Sequence, residues 1–302
     1  MSSLFEEVKA LATEQRNPAS MQMDEMSAEE ILRLINAEDA KVALAVEKEI
    51  PFITRVVEEL TERFPLGGRL IYVGAGTSGR MGIIDAAECP PTFGTPPELV
   101  CAIIAGGNKA VFQAQEGAED KPEAGAKEIN RTHVIARDVV IGIAASKRTP
   151  FVLGALERAK EVGAFTVLLT TNPRESIASL AYLDEAICPV VGPEVLMGST
   201  RMKSAVAQKM VLTMITTTVM VRLGKVYENM MVDLQLTNKK LEERAKRIVM
   251  IATDCTYDRA VELLSETGGH VKTAIVMERL HCSKAEAAAR LVDSGGFVKR
   301  AL

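Results

Sequence analysis

Two short stretches set hydroxyls where a helix is about to begin. Gly74-Ala75-Gly76-Thr77-Ser78-Gly79 places Thr77 and Ser78 inside a glycine turn, and Ser146-Lys147-Arg148-Thr149 places two more hydroxyls just ahead of Pro150. Each follows an apolar run, the setting in which free backbone N–H groups and the positive end of a helix dipole hold a phosphate. The first stretch is formally GxGxxG. A dinucleotide site also needs an acid at the end of the second strand for the ribose, and that strand ends Ile104-Ala105-Gly106-Gly107-Asn108. Thr77, Ser78 and Gly79 therefore suit a compact monophosphate, with Ser146 and Thr149 on the same rim. A ligand-free strand-to-helix turn explains the first loop alone, and an N-cap explains Thr149 alone. Two such loops on one rim point to one phosphorylated small molecule.

Carboxylates supply the second ingredient. Glu88 lies in Asp85-Ala86-Ala87-Glu88-Cys89-Pro90-Pro91, where apolar neighbours and helix-ending prolines hold it near the same rim. Glu116-Gly117-Ala118-Glu119-Asp120 follows the second strand and its helix, and the spacing predicts Glu116 and Glu119 one helical turn apart. A third cluster, Gly192-Pro193-Glu194 through Ser199-Thr200-Arg201-Met202-Lys203, joins an acid, hydroxyls and two cations at another helix start. Acids and cations on helices are usually only solvated, so each alone says little. His133, His270 and His281 have no partner at ligand spacing, so no metal is expected.

These residues need a scaffold, and the patterning describes one. Leu70–Val73, Leu99–Ile104, Val139–Ile143, Thr166–Leu169 and Ile187–Val191 are continuous apolar runs separated by amphipathic stretches such as Pro150–Val162. That alternation predicts an α/β fold with a parallel sheet covered on both faces, whose ligands bind at strand C-termini. Residues 1–66 read as an N-terminal helical segment. Ser27 with Glu30 forms a capping box there, and a longer helix carries Val42, Ala45, Val46 and Ile50 on one face. Residues 67–235 form the α/β domain, with a Met- and Thr-rich helix from Ser199 and a link near Gly224–Asn229. Residues 236–302 form a small helical bundle stopped by Gly268-Gly269 and Gly295-Gly296.

Composition removes other classes. The 302 residues carry 36 basic and 40 acidic side chains, three histidines, no Trp and 4% aromatics. That excludes an imidazole-rich site and a basic, aromatic nucleic-acid surface. Five cysteines without CxxC spacing read as buried hydrophobes in a reducing compartment. The Met-Ser-Ser-Leu-Phe-Glu-Glu start has no basic stretch before an apolar run, and Ala205–Leu223, broken by Gln208 and Lys209, reads as a buried helix and not a membrane span. The expectation is a cytoplasmic protein with no membrane partner.

The ordered set GAGTSGR, DAAECPP, EGAED, GIAAS with RTP, and PEVLMGSTRMK resembles the sugar isomerase (SIS) family and, more narrowly, the bacterial N-acetylmuramic acid 6-phosphate etherases. The resemblance extends over nearly the whole chain, including Thr13-Glu14-Gln15-Arg16-Asn17-Pro18 and Gly269-His270-Val271-Lys272-Thr273-Ala274-Ile275. It implies an SIS-type sheet and a cofactor-free removal of D-lactate from the C3 ether of a phosphosugar. It also implies Glu88 as acid and Glu119 as base, a homodimer, and a structural, ubiquitin-associated-like tail. The phosphate would be held by Thr77, Ser78, Gly79, Ser146 and Thr149, while Glu194, Arg201 or Lys203 would contact the rest of the substrate. A non-catalytic phosphosugar sensor such as the glucokinase regulatory protein and an aldose–ketose isomerase share the fold and remain alternatives. One departure stands out. The family's Ser-Gly-Arg-Thr is Ser146-Lys147-Arg148-Thr149 here. If that position takes a positive φ, lysine costs about 1 kcal/mol or more; alternatively it adds a cation beside the phosphate.

Overall fold

A computed structural model describes Lys9 and residues 11–302. Residues 1–8 and 10 of the expected N-terminal helical segment lie outside the described residues. The chain forms two compact units, one of residues up to 86 with 98–215, the other of residues 87–97 with 216–302.

The first unit is built on five parallel strands, β1 (Leu70–Gly74), β2 (Val100–Ile104), β3 (Val139–Ile143), β4 (Phe165–Leu169) and β5 (Glu185–Ile187), in the order β2-β1-β3-β4-β5. Every residue of β1 and β3 is buried, which is why their sequences are continuous apolar runs with no polar alternation. The expected fifth strand is the exception. It runs over 185–187 and not 187–191, because Pro189 has no N–H to give a ladder and restricts Cys188 before it.

Helices α1 (Ala28–Asp39), α2 (Val42–Glu47) and α3 (Ile50–Arg63) precede the sheet. The Ser27–Glu30 capping box of α1 is present in both directions. The single long helix expected after it is two. Pro51 sits in the first turn of α3, where its missing N–H costs nothing, and Ile50 turns outward while Val42, Ala45 and Val46 are buried. Helices α4 (Gly76–Phe93), α5 (Asn108–Phe112), α6 (Pro122–Arg131) and α7 (Pro150–Glu161) connect the strands. Helices α6 and α7 meet backbone to backbone: a Cβ on Gly125 would lie 1.9 Å from the Phe151 carbonyl oxygen, and one on Gly154 would lie 2.3 Å from that of Pro122.

Helix α8 (Lys203–Arg222) follows, starting four residues later than Ser199. Among the described residues it is the one helix long and apolar enough to cross a membrane, yet 56% of that stretch is buried inside the protein. In the second unit the expected link is a hairpin of β6 (Val226–Tyr227) and β7 (Met230–Met231), turned by Glu228 at φ 54°. Helices α9 (Lys239–Thr253), α10 (Tyr257–Thr267), α11 (Val271–Leu280), α12 (Lys284–Asp293) and α13 (Val298–Ala301) enclose a core that includes Ala245, Val249, Leu263, Ala274, Ile275 and Ala287. Gly268 ends α10 in the left-handed conformation, and Gly295 and Gly296 take positive φ after α12.

Candidate active site

Strand order fixes where a ligand fits. The connection from β1 passes through α4 to β2 on one side, and that from β3 passes through α7 to β4 on the other. Adjacent strands whose crossovers diverge leave a crevice at their carboxyl ends. Gly74 pairs with Ile143 at that end, so the 74–79 and 144–149 loops leave the sheet side by side. The two hydroxyl loops read from the sequence therefore flank one crevice.

In the first loop, Thr77, Ser78 and Gly79 lie in the opening turn of α4; the Gly79 N–H donates to the Ala75 carbonyl at 3.2 Å, while the N–H groups that lead it have no helical carbonyl four residues back. Gly76 takes φ +52°, and the loop packs so tightly that a Cβ on Gly74 would lie 2.6 Å from the Gly79 nitrogen. Arg80 then ties α4 to α5, donating from Nε to the Val111 carbonyl and from Nη2 to that of Ala110, both at 2.8 Å. Tyr72 of β1 donates its hydroxyl to Asp85 at 2.8 Å, which sets the rotation of α4. Glu88 is exposed one turn beyond Ile84, ten residues and roughly 15 Å along α4 from Ser78, and not beside the first loop at the rim where the sequence reading expects it. Pro90 and Pro91 lie inside the helix, so the Ala86 and Ala87 carbonyls beside Glu88 lose their usual N–H donors.

The second loop keeps Ser146 and Thr149 half-buried. Thr149 is the N-cap residue of α7, but its side chain does not cap the helix. Lys147 adopts φ +61°, the left-handed conformation. Its ammonium donates to the Ser176 carbonyl at 2.8 Å, in the turn after β4.

Glu116 and Glu119 are not one helical turn apart. Gly117 at φ +69° makes residues 116–119 an irregular turn ahead of α6. That turn is nevertheless placed. The Phe151 N–H in the first turn of α7 donates to the Glu119 carbonyl at 2.9 Å, binding it to the second loop's helix. Glu116 and Glu119 also line a cavity of about 160 Å³ with Ala75 and Gly76 of the first loop and Arg80. The structure thus brings both hydroxyl loops and Glu119 to one rim.

In the 194–203 cluster, Glu194 and Lys203 are engaged by buried partners within the fold. Glu194 is fully buried and accepts from the backbone N–H groups of Lys203 and Ser204, at 3.0 and 2.9 Å, and from the Ser204 hydroxyl at 2.9 Å. It therefore serves the positive start of α8. The buried Lys203 ammonium contacts Glu38 at 2.6 Å. Burial opposes ionisation of Glu38, but hydrogen bonds involving Lys203, Lys41 and Asn17 outweigh it and hold its carboxyl down at about 2. Arg201 is exposed. Sequence reasoning passed over Thr170-Thr171-Asn172-Pro173, although a polar run after an apolar strand is the same signal that marked the other loops. Among the described residues no group of three or more His, Cys, Asp or Glu side chains is placed to hold a metal ion.

Residues 52–160 match the family model of the glucokinase regulatory protein N-terminal SIS domain. Over 302 residues the chain is 58% identical to a protein of Salinibacter ruber named N-acetylmuramic acid 6-phosphate etherase, covering 100% of this chain and 96% of that one. It is 50% identical over 300 residues to N-acetylmuramic acid 6-phosphate etherase 2 of Vibrio cholerae, covering 99% and 97% respectively. A Geobacillus protein named N-acetylmuramic acid 6-phosphate etherase is 52% identical over 295 residues, covering 98% and 99%.

Proposed function

This chain belongs to the N-acetylmuramic acid 6-phosphate etherase family, and from that premise we propose how its site works. It is an enzyme that cleaves the C3 lactyl ether of N-acetylmuramic acid 6-phosphate, giving N-acetylglucosamine 6-phosphate and D-lactate. The substrate's phosphate sits on the two helix starts, held by Thr77, Ser78, Gly79, Ser146 and Thr149. In the ring-opened sugar the C2 proton is α to the aldehyde, and the Glu119 carboxylate removes it. As the C3–O bond breaks, Glu88 in its acid form protonates the departing oxygen and lactate leaves. Glu88, now ionised, takes a proton from water as that water adds to C3 of the unsaturated aldehyde. Glu119 returns its proton to C2, which restores both carboxyls.

The observation that carries this reading is the cavity in which Glu119 meets the first loop, together with the Phe151–Glu119 bond that ties it to the second. The protein is placed in the cytoplasm because a phosphosugar does not cross a bilayer and must be met where it is phosphorylated. A homodimer is supported by exposed Ile84 and Phe112, which a second copy would cover. Incubation with N-acetylmuramic acid 6-phosphate should release lactate. Glu88→Gln and Glu119→Gln should each lower kcat by roughly 10²–10⁴-fold while the substrate still binds. No lactate from the wild-type protein, or full activity in both variants, would overturn the assignment.

A further inference from the structure

The carbonyl of Ala145, immediately before Ser146, accepts an unusual number of donors. Thr170 Oγ1 reaches it at 3.0 Å, Thr171 Oγ1 at 3.2 Å, the Thr171 N–H at 3.3 Å and Asn172 Nδ2 at 2.7 Å. All three of these side chains, from the turn after β4, are buried. The Thr171 hydroxyl also meets that of Ser204 at 3.1 Å, and Ser204 donates to Glu194 at 2.9 Å. Each hydroxyl has one proton. One consistent arrangement runs Thr171 to Ser204 to Glu194, leaving Thr170 and Asn172 as the side-chain donors to the Ala145 carbonyl beside the longer bond from the Thr171 N–H.

Asn172 is engaged at both ends. While Nδ2 donates to Ala145, Oδ1 accepts the Ala12 N–H at 3.1 Å. Ala12 opens a segment fastened further along, since the Gly198 N–H donates to the Thr13 carbonyl at 3.2 Å and Asn17 Nδ2 donates to the Pro193 carbonyl at 3.1 Å. This is the Thr13–Pro18 stretch that the proposed chemistry leaves without a role.

We propose that Asn172 is the positioning residue of the substrate-phosphate loop, clamping the Ala145 carbonyl against the Ala12–Asn17 segment so that Ser146 and Thr149 are set before substrate arrives. The clamp touches no substrate. It acts by fixing the peptide from which the loop departs, which lowers the cost of ordering those hydroxyls around the phosphate. This rests on the reading that the 146–149 loop holds the phosphate.

Lactate release from N-acetylmuramic acid 6-phosphate, with inorganic phosphate as competing ligand, tests both. Ser146→Ala should raise KM roughly tenfold or more, the loss of a hydrogen bond to a charged group. Asn172→Asp keeps the acceptor for Ala12 but replaces the donor to Ala145 by an oxygen. KM and the inhibition constant for phosphate should rise together by roughly tenfold, with kcat within about twofold. Thr170→Val, nearly isosteric and suited to folding where the buried aspartate is not, should raise both constants about threefold, and Thr170→Ser should restore them. A merely structural residue would lower the active fraction, and so kcat, at unchanged KM. Unchanged KM in Ser146→Ala removes the phosphate reading and the clamp with it. A raised KM in Ser146→Ala beside unchanged KM in soluble Asn172→Asp or in Thr170→Val overturns the clamp alone.

Discussion

The two helix-start loops reach the same rim by different physical means. The first is shaped from within: glycines at 74, 76 and 79 permit a backbone that folds onto itself, with Gly76 at φ +52° and Gly74 against the Gly79 nitrogen. The second has no glycine. Its left-handed residue is Lys147, and its shape is held from outside by Ser176, by Thr170 and Asn172 on Ala145, and by the Ser204–Glu194–α8 group beneath. A loop made of glycine is robust to its surroundings and intolerant of its own substitution. A loop held by neighbours has the reverse sensitivity.

The largest effect should come from removing a distant support of the second loop. Lys203 begins α8 beside Ser204, and its buried ammonium depends on Glu38. Glu38→Gln strands that charge and should cost roughly 3–5 kcal/mol in urea unfolding. The same pair sets an acid limit. Glu38 titrates at about 2 when folded, against 4.5 ordinarily, so its contribution is present above pH 4.5 and is lost as pH falls toward 2. That contribution is about 3 kcal/mol. The stability–pH curve of Glu38→Gln should be flatter over this window, and an unchanged slope would show that the pair does not carry it.

Next comes the first loop broken from within. Gly74→Ala places a methyl 2.6 Å from the Gly79 nitrogen and 2.9 Å from the Ser78 carbonyl carbon, with only backbone to yield. Overpacking of this kind costs about 1–3 kcal/mol, and displacement of Ser78 should also raise KM. Wild-type stability with wild-type KM would mean that the loop is not held by this contact.

Much of this was legible beforehand, for identifiable reasons. The strands β1 and β3 announce themselves because burial on both faces leaves no room for polar alternation, and both hydroxyl loops follow from the apolar run that precedes them. The break at Pro51 and the early end of β5 at Pro189 were written in the residues but overridden by an apolar periodicity that continues past them. Glu119 could not be placed from sequence. Its position depends on a bond to Phe151 and on the Gly125–Gly154 crossing of α6 and α7, neither of which leaves a local pattern. Glu194 and Lys203 read as site charges because sequence shows charge and not burial; the structure gives them α8 and Glu38 as partners.

The smallest effect is the most informative about the loops' difference, because Lys147 combines a penalty and a benefit in one residue. Its left-handed backbone costs about 1 kcal/mol relative to glycine, while the bond from its ammonium to Ser176 returns about the same. Lys147→Gly removes both, so stability should stay within about 0.5 kcal/mol of wild type. Lys147→Met keeps the backbone cost and loses the bond, and should be destabilised by about 1 kcal/mol. The ordering of Met below a glycine variant equal to wild type, measured by urea unfolding, is what an externally held loop requires. A glycine variant more stable than wild type by a full 1 kcal/mol would mean that the Ser176 bond contributes nothing, and that lysine is simply tolerated where the fold asks for glycine.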